Sequence, residues 1–415
     1  MKINSNTFEV LVTRLRELLV TEAYSKITVK DMNFIFQAMS RFMETHRLKE
    51  YTPEIGERFV SHCISDLKIC SSHILRAKNI TGKLNRLLQG LDGREALLPD
   101  TSIKFELPNC LMDSLTAYLA YCAEKGNRQT TIHNIYLVCG HFMNHLCKLG
   151  CREMSDVTAE YVQAAFLALG SKIYWGKIRP FLCFLFDNNF LKQNYSGLIQ
   201  IRHNPMPQPT VYSPEEVRCV ENSFDLSSLS GIRNYGITLL MTRYGIRACD
   251  VAALRFDDID FKNNRLHFIQ QKTGDPWEAE LLPEVKTALK NYTKNVRPNV
   301  TAYPNIFISL VAPYAPISGS AVNRMIRNQF QCAQINIFGR KHGSRACRSS
   351  IASNMINDDV STEIVRKVLG HGTKYALKHY ARIDVESMRI CPLPVPESAG
   401  FFAEILSGKG VIPCV

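Results

Sequence analysis

Long apolar runs are missing from this chain. No stretch approaches the ~18 consecutive apolar residues that suggest a membrane-spanning helix, so no membrane partner is expected. The opening MKINSNTFEV lacks the apolar core of a secretory leader, and a cytoplasmic location is the expectation. A Gly-x-x-x-x-Gly-Lys-Ser/Thr loop is also missing, so chemistry driven by a nucleoside triphosphate is not expected. Acidic residues are in deficit, 38 against 50 Lys and Arg, for a formal net charge of +12. That balance favours a polyanionic partner, and nucleic acid is the commonest one.

What is present is enough apolar residue, 46% of 415, to build well-packed cores in two or three domains. Fourteen cysteines are scattered with no disulfide-framework spacing, and most are expected to be reduced, buried thiols. Residues 1–92 read as a helical domain, with Phe34, Phe36, Met39, Phe42 and Met43 at helical spacing. GLDGREALLPDTSIKFELP at 90–108 reads as a linker. A second helical domain is expected over 107–200, with Leu115, Leu119 and Cys122 on one stripe, then Ile135, Leu137, Val138 and Phe142. Pro205, Pro207 and Pro209 at alternate positions mark an extended tether. Ser213, Pro214 and Glu216 then form a capping box that opens a third domain, 210–390. Inside it, a helix at 231–243 precedes short β-prone runs separated by Asn263-Asn264 and Thr273-Gly274-Asp275-Pro276, which predict a small meander. Helices resume from 284 to about 388. A tail, 391–415, carries Phe401, Phe402, Ile405 and Leu406. The fold class expected is mainly α with a small antiparallel sheet in the third domain (α+β).

Three segments carry the chemistry: RYGIRACDVAALRFDDID at 243–260, KHGSRACRSS at 341–350 and LGHGTKYALKHYARID at 369–384. In order and spacing they resemble the tyrosine recombinase (phage integrase) family. The first matches its Gly-x-Arg box through Gly245 and Arg247, with Asp250 three residues on. The second matches its His-x-x-Arg box through His342 and Arg345. The third matches Leu-Gly-His followed by a tyrosine nine residues later, which pairs His371 with Tyr380. Lys272 sits where the resemblance implies a lysine on the turn of a small sheet. The chain departs from the family at Ala346, where a second His usually stands. Tyr375 competes with Tyr380, and the spacing selects Tyr380.

The chemistry of these residue types agrees with that resemblance. Cleaving a phosphodiester with side chains alone requires charge stabilisation on the phosphoryl oxygens. Arg247 and Arg345 suit this, because a guanidinium is permanently charged and grips two oxygens in a planar fork. A phenol is a poor nucleophile while protonated, with a reference pKa of about 10, so Tyr380 needs a proton acceptor. His342 is the candidate, Lys272 can protonate the departing 5′-oxygen, and His371 can bond a non-bridging oxygen. The resemblance implies that Asp250 props the pocket. It also implies a 3′-phosphotyrosyl intermediate, no cofactor, and a homo-tetramer on two sites in double-stranded DNA, with directionality or DNA-bending factors left open. Residues 107–200 are then the core-binding domain, with Lys172, Lys177 and Arg179 as phosphate-contact candidates. Residues 1–92 can bind accessory DNA, and the tail can dock on a neighbouring protomer.

Two alternatives remain open: a DNA-binding protein that keeps the fold but no longer cuts, and a type IB topoisomerase, which shares the tyrosine chemistry. All six candidate residues being present disfavours the first, and the short His371-to-Tyr380 spacing disfavours the second. His141, His145, Cys147 and Cys151 superficially suggest zinc ligands. At about 100° per residue on one helix, the histidines and the cysteines lie on nearly opposite faces, so a core reading is preferred and no metal is expected.

Overall fold

The computed structural model describes residues 7–65, 70–98, 104–199 and 208–372, with Ala403 and Ser407. It divides into two compact units, one of Met1–Pro99 with Pro207–Val415 and one of Asp100–Met206.

The first unit opens with four helices, α1 (Phe8–Thr21), α2 (Lys26–Thr45), α3 (Pro53–Ser65) and α4 (Ser71–Leu88). Ser25 caps α2 by accepting the Thr28 N–H at 3.2 Å. The α2 stripe is Met32, Ile35, Phe36, Met39, Phe42 and Met43, all buried. Phe34, expected on that stripe, is exposed and lies against His73. Residues 34 and 36 sit about 200° apart on a helix, so one face cannot hold both. The stretch at 90–108, expected to be a linker throughout, starts as structure. Asp92 caps a fifth helix, α5 (Gly93–Leu97), whose Ala96 and Leu97 complete the α1–α4 core. This block therefore runs past 92, to Leu97 at least.

The second unit holds α6 (Asn109–Glu124), α7 (Gln129–Lys148), α8 (Ala159–Ala168) and α9 (Trp175–Asp187). Its core joins Leu115, Tyr118 and Cys122 to Val138, Phe142, Met143, Phe181 and Leu185. Leu119 and Leu137, placed on the stripes by the sequence, are only half-buried. Cys151 is buried in this core, whereas His141 is exposed beside Phe105. Among the described residues no three metal-ligating side chains converge.

Residues 208–372 return to the first unit. Ser213 accepts the Glu216 N–H at 3.2 Å, Glu216 accepts the Ser213 N–H at 2.9 Å, and Pro214 opens α10 (Pro214–Asn222), so the capping box forms. The helix expected at 231–243 is α11 (Leu229–Tyr244), followed by α12 (Ala248–Ala253). The meander is β1 (Ile259–Asp260), β2 (Arg265–Ile269) and β3 (Pro276–Glu280), antiparallel in that order. Leu266 pairs with Ala279 and Phe268 with Trp277, while Arg265, His267 and Ile269 alternate to the outside. Asn264 and Gly274 take positive φ at the two turns, +54° and +80°. The helices α13 (Pro283–Asn291), α14 (Gly319–Cys332) and α15 (Ser344–Asn357) pack around α11 and this sheet, and α16 (Thr362–Leu369) packs on α15 through Ala352, Val365 and Leu369. Among the described residues the molecule is thus mostly helical with one small antiparallel sheet.

The cysteines divide, against the expectation that most are buried. Cys63, Cys122, Cys139, Cys151 and Cys347 are, while Cys70, Cys110, Cys219, Cys249 and Cys332 are exposed. Burial raises the Cys347 thiol to about 12. A lone thiol carries no periodicity of its own, so its burial follows from the helix face it happens to occupy.

Candidate active site

The Gly-x-Arg segment is a turn between two helices. Gly245 ends α11 in the left-handed region, φ +65°, and a Cβ there would lie 2.7 Å from the Leu369 side chain. Arg247 follows at the N-cap of α12. Its guanidinium donates to the Gln270 side-chain oxygen and lies 3.8 Å from the Asp250 carboxylate. Asp250 is 3% exposed, and its other oxygen accepts the Gln271 backbone N–H at 2.7 Å. Asp250 therefore fastens the Arg247 turn to the β2–β3 hairpin, one residue before exposed Lys272.

The His-x-x-Arg segment starts a helix. Gly343, at φ +134°, is the N-cap of α15, and a Cβ there would press on Arg327 and Asn323. Asn323 accepts the Ser344 N–H and hydroxyl at 3.1 and 2.8 Å, which fixes the helix start. Arg345 is exposed in the first turn. Ala346, where the family usually has a second His, is buried in the core, so small size suits this position. His342 is half-buried. Its Nδ1 lies 3.1 Å from the Arg340 carbonyl, which can only accept, so Nδ1 carries the proton. In the neutral imidazole the lone pair is then on Nε2, which is buried and without a hydrogen-bond partner among the described residues. That is the form a proton acceptor requires.

The Leu-Gly-His segment ends α16. Gly370 takes φ +60°, and a Cβ there would fall 2.4 Å from the Gln270 amide nitrogen, so no side chain fits. His371 is 9% exposed and its backbone N–H donates to the Arg366 carbonyl at 2.9 Å. Tyr380, Tyr375 and the apolar residues of the tail lie outside the described residues.

Three residues that the sequence analysis did not single out join these segments. Arg348, one turn beyond Arg345 and 4% exposed, donates to the Gly245 carbonyl at 2.6 Å and to the Leu369 carbonyl. Gln270 accepts from Arg247 and donates to the Gly370 carbonyl at 3.2 Å. Trp277 donates its indole N–H to the Val368 carbonyl at 2.8 Å. All three sequence segments and the hairpin therefore meet through buried hydrogen bonds between neighbours of the candidate residues. A signal for Arg348 existed: it is the one charged residue in the run Ala346 to Ser353, whose other members are small apart from Ile351. Lys177 is half-buried and Arg179 exposed on α9, and Lys172 lies in a short 3-10 turn before it, all in the other unit.

Known proteins resemble this chain in sequence. Residues 215–387 match the phage integrase family. A putative integrase/recombinase of Sinorhizobium fredii, y4rA, is 26% identical over 331 residues, which cover 76% of this chain and 78% of that protein. The tyrosine recombinase XerC of Pediococcus pentosaceus is 23% identical over 218 residues, 51% of this chain and 70% of that one. Among solved structures, XerH site-specific recombinase bound to difH substrate aligns at 15% identity with a TM-score of 0.49, over 70% of this chain and 97% of that one. The matched region, residues 215–387, holds the Gly-x-Arg, His-x-x-Arg and Leu-Gly-His segments that Arg348 and Gln270 draw together, and it resembles the phage integrase family of tyrosine recombinases, enzymes that cleave and rejoin DNA strands.

Proposed function

We propose that the six candidate residues act as one site on a DNA phosphodiester, with Tyr380 as nucleophile. Its phenol oxygen attacks phosphorus, the P–O5′ bond breaks, and a 3′-phosphotyrosyl bond forms beside a free 5′-hydroxyl. His342 Nε2 takes the phenol proton, and Lys272, on its exposed turn, protonates the departing 5′-oxygen. Arg247 and Arg345 hold the non-bridging oxygens as negative charge builds on them, and His371 adds a hydrogen bond. The energy of the broken linkage is kept in the phosphotyrosine, so attack by a 5′-hydroxyl of another strand reverses the step. Asp250 acts through Arg247 and the hairpin.

The observation that carries this reading is the Arg348 guanidinium bonded to the Gly245 and Leu369 carbonyls. It ties the turns bearing Arg247 and His371 to the helix bearing Arg345. The substrate is double-stranded DNA, bound by four protomers on two sites, in the service of a mobile element as integrase or transposase. Residues 107–200 form the core-binding domain, with Lys172, Lys177 and Arg179 on phosphates, and residues 210–390 the catalytic domain. The N-terminal helical block serves accessory DNA contacts, and the tail at 391–415 docks on a neighbouring protomer.

The test is trapping. A nicked duplex carrying the sequence that the protein selects from a random DNA pool is incubated with wild type and with Tyr380→Phe, and products are resolved under denaturing conditions. A covalent adduct from wild type alone is expected. Tight binding without an adduct would assign the chain to DNA binding without cutting, and an adduct from Tyr380→Phe would move the nucleophile to another residue.

A further inference from the structure

His342 is presented by a loop whose other contacts run to the segment that enters this part of the molecule. Arg340, two residues earlier, lays its guanidinium over the Tyr212 ring at 3.9 Å. The same fork donates to both oxygens of Glu216 and to the Val211 carbonyl, the last two at 2.9 and 2.7 Å. The next backbone N–H, of Lys341, donates to the Thr210 hydroxyl at 3.2 Å. Tyr212 is fully buried, its backbone N–H donates to the Ser350 hydroxyl at 2.9 Å on α15, and its carbonyl accepts from Asn354 at 3.3 Å. Its ring packs on Phe330 at 4.7 Å, and Phe330 faces the His342 imidazole at 6.5 Å. Residues 210–216 are thus sewn to the loop that carries His342 and to the helix that carries Arg345.

We infer that Arg340 is a positioning residue for strand cleavage: it clamps the segment 210–216 to the 336–342 loop and so sets the direction of His342. Two features separate this from ordinary packing. The Arg340 carbonyl is the group that holds the His342 Nδ1 proton, so any swing of the Arg340 backbone turns the imidazole. The guanidinium is also over-determined, with four acceptor oxygens, the Asn336 carbonyl at 2.9 Å among them, and a ring face, which fixes that backbone more firmly than an exposed loop requires. The sequence motif begins at His342, so the positioning device lies just outside it and couples it to the tether.

This inference rests on His342 being the proton acceptor, and the experiment separates the two. Arg340→Met, Arg340→Lys, His342→Gln and the double variant Arg340→Met/His342→Gln are compared on the nicked duplex. Adduct formation is followed in a single turnover at saturating DNA, and DNA affinity is measured by gel shift. Arg340→Met is expected to slow adduct formation by about 10- to 100-fold, as a displaced catalytic group does, with affinity unchanged. Arg340→Lys recovers part of the rate, because it keeps one donor but not the fork. In the His342→Gln background, Arg340→Met adds little, since two residues acting through one group are not additive. A wild-type rate for Arg340→Met at saturating DNA, or full multiplication of the two losses in the double variant, overturns the inference. Wild-type cleavage by His342→Gln alone removes the proton-acceptor reading beneath it, and needs no change at Arg340 to be seen. Should Arg340→Met not fold, Glu216→Gln takes its place and must slow cleavage with the same dependence on His342.

Discussion

Residues 208–372 and the helical unit 104–199 are built on opposite principles. Of the buried polar side chains in the described residues, ten lie in 208–372, among them Asp250, Gln270, Arg348 and His371. In 104–199 there are two, Ser114 and Ser196, and none is charged. An apolar core is stabilised by area and shape, and tolerates substitution of similar volume. A buried guanidinium or carboxylate costs several kcal/mol in lost hydration and persists only with complete hydrogen bonding. In residues 208–372 that cost is offset by hydrogen bonds that hold turns at defined orientations, which non-directional packing does not supply.

Three substitutions test this contrast, in falling order of expected effect on stability. Arg348→Met keeps the volume of the stem and leaves the Gly245 and Leu369 carbonyls unpaired. Cleavage of saturating DNA is expected to fall by about 100-fold, and stability by about 2–3 kcal/mol in denaturant titration. A drop in stability with cleavage intact would mean that the buried network serves folding alone. Phe142→Leu, at a fully buried ring in the other unit, is expected to cost about 1–2 kcal/mol of stability. Cleavage by the folded protein on bound DNA stays at the wild-type rate, and a large loss there would erase the distinction between the two regions.

The smallest effect concerns Glu216. Its carboxyl is held below the usual range, first by the hydrogen bonds from Arg340, against the cost of partial burial. A depressed carboxylate contributes stability that is present above the unfolded pKa, about 4.3, and lost as pH falls through the lower folded value. The stability gap between wild type and Glu216→Gln is therefore expected above that range, at under about 1 kcal/mol for a half-buried pair. Melting curves from neutral to acid pH should show it closing as pH falls. A gap that stays constant would show that Glu216 acts through shape and not charge.

Much of the fold was legible because local patterns have local causes. The Ser213–Pro214–Glu216 box formed as read, since all its atoms lie within one turn of helix. The meander formed because Leu266 and Phe268 alternate with polar neighbours between turns that accept positive φ. The misreadings have equally physical sources. Phe34 was counted with its neighbours because apolar identity was weighed before helical phase. The α5 helix at Gly93–Leu97 is too short to show a period, and only its docking on the first core makes it a helix.

By itself, the sequence determined the helical blocks, the small sheet, and the order and spacing of the segments that mark the family, because helix phase, strand alternation and motif spacing are properties of neighbours along the chain. The tertiary structure decided which cations are buried and what each one holds. Arg345 and Arg348 are one turn apart, yet one is exposed and the other meets the carbonyl of Gly245, 103 residues earlier in sequence. Arg340 finds Val211 and Glu216 across a similar gap. Whether a guanidinium is solvated or structural depends on acceptors that folding brings from far along the chain.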